Sequence, residues 1–152
     1  MENAYTFTAI RGVLAGREYY VGMCPAGLIA KILDFEGGAG DLGRSLNASA
    51  IPKIAAYLKD NPTEYVMSSI AVAIRGDFTF DRLDGNADSD FGQLIIPMTT
   101  QLLVNDGQHR CAAIRAALRE RPELSIDSIS IVFFADQQLD ESKRMFADLN
   151  RR

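Results

Sequence analysis

The segment Leu102-Leu103-Val104-Asn105-Asp106-Gly107-Gln108-His109-Arg110 contains the strongest structural signals in the chain. Its apolar start predicts a buried strand, and the Asn-Asp-Gly that follows is typical of a turn. Residues 111–121 are rich in alanine and leucine, with Ile114, Ala117 and Leu118 at helical spacing, which predicts a helix with one buried side. The turn carries four polar side chains: Asp106, Gln108, His109 and Arg110.

This turn has the chemistry of an anion-binding site. The first turn of a helix leaves backbone N–H groups without partners, at the positive end of the helix dipole. Gly107 allows a ligand to approach the backbone closely. Arg110 can hold a phosphate or carboxylate through two parallel hydrogen bonds, and His109, the only histidine, can donate or accept near neutral pH. We therefore expect a phosphate-bearing ligand at Gly107 and Arg110.

The same residues also fit a purely structural interpretation. Asp106 is a residue type that often caps a helix, and Arg110 can form a surface ion pair. Asp106 can also orient His109 or Arg110, or hold a metal ion. The residues alone leave these alternatives open.

The string Asp106-Gly107-Gln108-His109-Arg110 resembles the one after which the DGQHR-domain proteins are named. The chain as a whole resembles the DndB family, the regulatory proteins of bacterial DNA phosphorothioation systems. Further matching stretches are residues 15–20 with 23–25, 50–55 with 60–62, and 145–151. The resemblance implies a repressor that binds promoter DNA. It also implies that residues 1–152 form a single domain, the N-terminal part of a longer protein.

More distantly, the strand, turn and helix resemble the ParB and sulfiredoxin superfamily, whose members place nucleotide phosphates against such a turn. Gly107, His109 and Arg110 match the Gly-Cys-His-Arg pattern of sulfiredoxins, but Gln108 stands in place of the catalytic cysteine. Reduction of sulfinic acids is therefore not expected. The implied fold is α+β, a mixed sheet flanked by helices around a ParB/sulfiredoxin-like core.

That resemblance implies an alternative function, a nucleotide-binding or nucleotide-hydrolysing enzyme of a DNA-modification defence system. ATP or another nucleotide would bind with Mg²⁺. Arg110 would bind phosphate, His109 would neutralise charge or transfer a proton, and Asp106 would hold Mg²⁺ or orient a water that Gln108 positions. A third alternative is a protein-interaction module that keeps only a vestigial pocket.

Arg44 and Asn47 are two further candidate ligand residues. They follow a glycine-rich segment, residues 37–43, which lacks the lysine and the spacing of a Walker motif. The family resemblance implies that both residues face the same cleft as the Asp106–Arg110 turn. The residues themselves also fit a solvated arginine and an asparagine that caps the next helix.

The net charge of −4 limits DNA binding, because sequence-independent affinity comes from lysine and arginine that neutralise phosphates. The candidate DNA-binding residues are Arg115, Arg119, Arg121 and Arg151, which together with Arg152 could form one local basic patch. The alternative is a solvated helix face and tail. We expect weak promoter binding by this chain alone.

The two cysteines, Cys24 and Cys111, are too few and too far apart to suggest a metal site or a disulfide framework. Both are expected to be small buried residues in a reducing cytoplasm. No signal peptide and no apolar run of membrane-spanning length is recognisable, which favours a cytoplasmic protein without membrane contact.

The remaining pattern predicts a mixture of strands and helices. Strands are predicted at residues 5–14, 17–23, 65–74, 78–82, 93–97, 100–104 and 128–134, and helices from 25, at 49–59, 111–121 and 140–150. The strand, helix and strand around the turn predict a right-handed crossover and a partly parallel sheet, with 128–134 central. Met145, Phe146 and Leu149 give the last helix a broad apolar stripe, so a homo-oligomer is expected.

Overall fold

The computed structural model describes residues 3–35 and 49–135, and these contain a seven-stranded mixed sheet. The strands are β1 (Ala4–Leu14), β2 (Arg17–Pro25), β3 (Ile70–Arg75), β4 (Thr79–Arg82), β5 (Phe91–Pro97), β6 (Gln101–Asp106) and β7 (Ser128–Ala135). The helices are α1 (Ala26–Ile32), α2 (Ala50–Asp60) and α3 (Gln108–Glu120), with 3₁₀ turns at Leu83–Gly85 and Pro122–Ile126. The predicted fold class, a mixed sheet flanked by helices, is confirmed.

The strand order is β4-β5-β1-β2-β7-β3-β6. The predicted β1–β2 hairpin is confirmed, with Ala15 and Gly16 at its tip in positive-φ conformations of 53° and 76°. β7 lies inside the sheet, antiparallel to β2 and parallel to β3, as expected for the most apolar strand. The partly parallel sheet is thereby confirmed.

The core lies where the inward side chains of the central strands meet the helices. Ile70, Ile131 and Phe133 of the sheet and Ile29 of α1 are completely buried. Full burial of such a side chain stabilises the fold by roughly 1.5–3 kcal/mol. Cys24 and Cys111 belong to this core, as predicted, and burial raises the pKa of each thiol to about 12. Neither is therefore a candidate nucleophile.

The predicted crossover between β6 and β7 is wrong. β3 lies between the two strands, antiparallel to β6 and parallel to β7, so β6 and β7 run in opposite directions. Ala71 of β3 pairs with Asp106 at the end of β6, while Ile70 pairs with Ile131 near the start of β7. The chain therefore leaves β6 and enters β7 at the same end of the sheet, whereas a parallel crossover returns to the opposite end.

The predicted strand 65–74 is too long, because β3 begins only at Ile70. Residues 65–69 are instead held by side chains. The N–H of Val66 donates to the Tyr57 hydroxyl at 2.8 Å, and the Ser68 carbonyl accepts from Arg110 at 2.7 Å. These bonds hold the segment apart from β7, so the β3 pairing starts at Ile131.

Several predictions fall outside the described residues. They concern the glycine-rich segment 37–43, Arg44, Asn47, the helix 140–150 with its proposed self-association, and Arg151. Within residues 3–35 and 49–135, no helix is both long and apolar enough to cross a membrane.

Candidate functional site

The candidate site lies where β6 ends at Asp106 and α3 begins at Gln108. Gly107 alone joins them, with a φ of 109° that reverses the chain in one residue. Because the turn is so short, α3 starts three residues earlier than predicted, and Gln108, His109 and Arg110 occupy its first turn. The Cys111 N–H donates to the Gly107 carbonyl at 2.9 Å and closes that turn.

Arg110 anchors the segment that precedes β3. Its Nη1 donates to the carbonyl oxygens of Ser68 and Ser69 at 2.7 and 3.0 Å. Its Nη2 lies 3.4 Å from a carboxylate oxygen of Asp106, four residues earlier in the chain. The ion pair is partly exposed and contributes at most about 1 kcal/mol, whereas hydrogen bonds to a charged group contribute roughly 1.5–3 kcal/mol each. The carbonyl contacts are therefore the stronger part of this arrangement.

Gly107 is buried beneath the guanidinium of Arg110. A Cβ atom at this position would lie 3.0 Å from Arg110 Nη2 and 3.2 Å from Ile70 Cγ1. The structure thus gives a structural reason for the glycine, while a close ligand approach to its backbone stays a prediction. The arginine side chain of the same turn occupies that space.

Gln108 and Asp106 also make contacts within the turn. Gln108 Nε2 donates to the Val104 carbonyl at 3.1 Å and, more weakly, to the Asn105 carbonyl at 3.4 Å. These bonds join the start of α3 to the end of β6. Asp106 makes no capping hydrogen bond to α3, so its structural role is the ion pair with Arg110 rather than the helix cap considered from the sequence.

Sequence reasoning did not single out Asn105, which is only 4% exposed. Both its amide nitrogen and its amide oxygen are buried and have no hydrogen-bond partner within residues 3–35 and 49–135. It is the extra residue of a β-bulge, since Ala71 pairs with Asp106 and Val72 with Val104. Buried polar groups in native proteins are nearly always bonded to protein, water or ligand. The sequence signal that could have identified it is its position, because Asn105 is a polar residue directly after the apolar Leu102–Val104.

The three arginines of the proposed basic patch that lie in the described residues have different surroundings. The guanidinium carbon of Arg115 lies 4.9 Å from the ring centroid of Phe35. Arg121 pairs with Glu123 at 3.3 Å, past the end of α3. Arg119 is exposed in the last turn of α3, where a cation interacts favourably with the helix dipole.

The turn still offers groups to a ligand. A guanidinium has five N–H donors. Two donors of Arg110 are used by the Ser68 and Ser69 carbonyls, and a third faces Asp106. His109 lies half-buried in the same helical turn. No group of three or more His, Cys, Asp or Glu side chains that could hold a metal ion occurs in the described part of the chain. Anion binding at this turn stays a prediction.

Comparison with known proteins identifies one family. The family model described as DndB, DNA-sulfur modification-associated, matches residues 7–152, which include the whole Asp106–Arg110 turn. No curated protein and no solved structure matches the chain, so the ParB/sulfiredoxin-like core stays a prediction. Because the match covers nearly the entire chain, this protein belongs to the DndB family of DNA-sulfur modification-associated proteins.

Proposed function

We propose that this domain is a repressor of a DNA phosphorothioation gene cluster, and that it senses a phosphate-bearing ligand, ATP or another nucleotide, at the Asp106–Arg110 turn. The observation that carries the proposal is the family match, which spans the turn and nearly all of the chain. A regulator needs a site whose occupancy changes the domain. The turn fits this need because Arg110 connects it to the segment before β3.

Three features support an anion at this position. The first turn of α3 supplies backbone N–H groups at the positive end of a helix of 13 residues. His109 and the remaining donors of Arg110 lie on the same turn. The amide of Asn105, two positions before Gly107, is a buried polar group with no hydrogen-bond partner among the described residues.

Nucleotide hydrolysis is a second candidate. It is favoured by the partly exposed Asp106 carboxylate beside Arg110, since the carboxylate could hold Mg²⁺ while the arginine binds phosphate. It is less well supported than binding. The amide of Gln108, the proposed water-positioning group, already donates to two carbonyls of β6. Those bonds would have to break before Gln108 could orient a water.

Calorimetric titration with ATP and with CTP, each with Mg²⁺, tests the ligand. We expect saturable binding of a nucleotide that His109→Ala weakens by roughly 10- to 100-fold, since a lost hydrogen bond to a charged phosphate costs roughly 1.5–3 kcal/mol. The matched control is Arg119→Ala, which removes an exposed cation at the other end of α3 and should leave the affinity unchanged. Absence of binding by the wild type, or equal weakening in both variants, would contradict the site. Phosphate release in the same samples distinguishes hydrolysis from binding.

DNA binding by this chain alone is expected to be weak. Its net charge is −4, and two of the three described candidate arginines already contact Phe35 and Glu123. At physiological salt the dissociation constant should be about 10⁻⁵ M or weaker, the non-specific range. An electrophoretic shift assay with promoter DNA and a scrambled duplex of equal length measures this. Nanomolar binding that is selective for the promoter would contradict this prediction.

A further inference from the structure

A groove of about 560 Å³ opens between residues 62–67 and the start of β7. We call it the β7 groove. The lining residues used below are Met23, Tyr65, Met67, Asp127, Ser128 and Ser130. Its volume lies in the range of ligand-binding pockets, but it is open along one side, as a groove for an extended chain would be.

One wall of the β7 groove is an unpaired strand edge. Residues 128–130 of β7 pair with β2 on one side, whereas pairing with β3 begins only at Ile131. No backbone hydrogen bond joins residues 65–69 to residues 128–130, both of which are described. The single bond between the two segments links the hydroxyls of Ser69 and Ser130 at 2.6 Å. An exposed strand edge of this kind is the template for addition of another strand.

The gap is built into the fold. Arg110 holds the Ser68 and Ser69 carbonyls, and the Tyr65 hydroxyl donates to Asp127 across the end of the groove. The Tyr57 hydroxyl accepts the N–H of Val66. These contacts keep residues 65–69 off the β7 edge, so the β7 groove is preformed and binding would cost little reorganisation.

The side chains that line the β7 groove define the chemistry of its occupant. Met23 is 60% exposed and Met67 is partly exposed, and flexible thioethers of this kind adapt to varied apolar side chains. Asp127 is the one charged residue of the lining, and its second carboxylate oxygen has no partner within the described residues. Among the residues that the structure describes, no lysine or arginine lines the β7 groove, which argues against phosphate or nucleic acid there.

We propose that the β7 groove binds an extended segment of a partner protein that adds a short strand to residues 128–130, with apolar side chains against Met23 and Met67 and a lysine or arginine beside Asp127. Main-chain hydrogen bonds to β7 supply the affinity. The apolar contacts and the charge at Asp127 supply the selectivity. This inference does not require the nucleotide proposed at the Asp106–Arg110 turn, although Arg110 takes part in both places.

The test uses three end-blocked synthetic peptides and isotope-labelled protein observed by NMR. The probe is Val-Lys-Val-Lys-Val, the charge control is Val-Glu-Val-Glu-Val, and the third peptide is the lysine probe with N-methylated backbone. We expect the lysine probe to shift the amide signals of residues 128–130 in a saturable way. The glutamate peptide should bind about tenfold more weakly, as expected for a reversed charge beside one carboxylate, and N-methylation should abolish the shifts.

Two adjacent substitutions locate the binding. Met67→Arg places a cation in the β7 groove and should weaken the lysine probe about tenfold through like-charge repulsion. Val66→Arg, at a neighbouring side chain that is 80% exposed and does not line the groove, should have no effect. Should Met67→Arg fail to fold, the three peptides on the wild type decide the matter alone.

Three results would overturn the proposal. The first is that the amide signals of residues 128–130 do not shift when the lysine probe is in large excess. The second is equal binding of the glutamate peptide. The third is that raising the protein concentration without peptide shifts the same signals, which would assign the β7 groove to a second copy of the chain.

Discussion

Gly107→Ala is expected to lower the free energy of unfolding by about 3 kcal/mol, because the added Cβ atom brings both backbone strain and steric contacts. The backbone at Gly107 has a φ of 109°, which residues with a Cβ rarely adopt. The added methyl would also lie 3.0 Å from Arg110 Nη2 and 3.2 Å from Ile70 Cγ1. Relief requires Arg110 to move, and its movement weakens the bonds to Ser68 and Ser69.

Gly85→Ala is the matched control for this effect. Gly85 has a φ of 68°, and a Cβ there would meet nothing within 4 Å. Its cost should therefore be the left-handed backbone alone, about 1 kcal/mol. Urea denaturation followed by circular dichroism gives both values. Equal losses in the two variants would show that the contacts of the Gly107 Cβ with Arg110 and Ile70 carry no weight.

Much of this fold is predictable because its causes are local. The hairpin of β1 and β2 follows from alternating side chains and the Ala15-Gly16 tip, and α3 follows from apolar residues at helical spacing. The end of the strand is marked by Gly107, although Asn105 and Asp106, expected in the turn, still belong to β6. Each of these signals lies within a few residues of the structure it specifies.

Errors arose where distant parts of the chain decide the local structure. Residues 65–69 have the composition of a strand, but Arg110, 42 residues after Ser68 in the chain, takes the carbonyls that a strand would use. The direction of β7 relative to β6 depends on β3 lying between them, which no local pattern records. The unpartnered amide of Asn105 arises from a bulge that exists only once β3 and β6 pair.

The candidate site likewise has features that the sequence predicts and features that it does not. Its position at the junction of a strand and a helix was predictable, but the partners of its residues were not. The sequence suggested that Arg110 points toward a ligand, whereas two of its donors contact the Ser68 and Ser69 carbonyls. A turn that stabilises the fold can also bind an anion, so the ligand role of Arg110 stays a prediction.

Arg110→Ala is expected to cost about 3 kcal/mol, because it leaves two carbonyls without their charged donor. This value is near the lower end of the range expected for two hydrogen bonds to a charged group. The arginine side chain is 20% exposed, so water can hydrogen-bond the freed carbonyls and offset part of the loss. Arg110→Lys keeps the charge but not the planar fork, and should lose roughly half as much. Arg121→Ala removes only an exposed ion pair with Glu123 and should cost under about 1 kcal/mol.

Amide hydrogen exchange distinguishes an anchoring role of Arg110 from a general loss of stability. If Arg110 anchors residues 65–69, Arg110→Ala should speed exchange at the first residues of β3, while amides that join β1 to β5 keep their wild-type protection relative to global unfolding. Uniform acceleration, or a stability loss no larger than that of Arg121→Ala, would contradict the anchor. The result also governs how ligand experiments are interpreted. If the anchor is real, loss of nucleotide binding in Arg110→Ala reports on the shape of the turn, and only His109→Ala can report on direct contact.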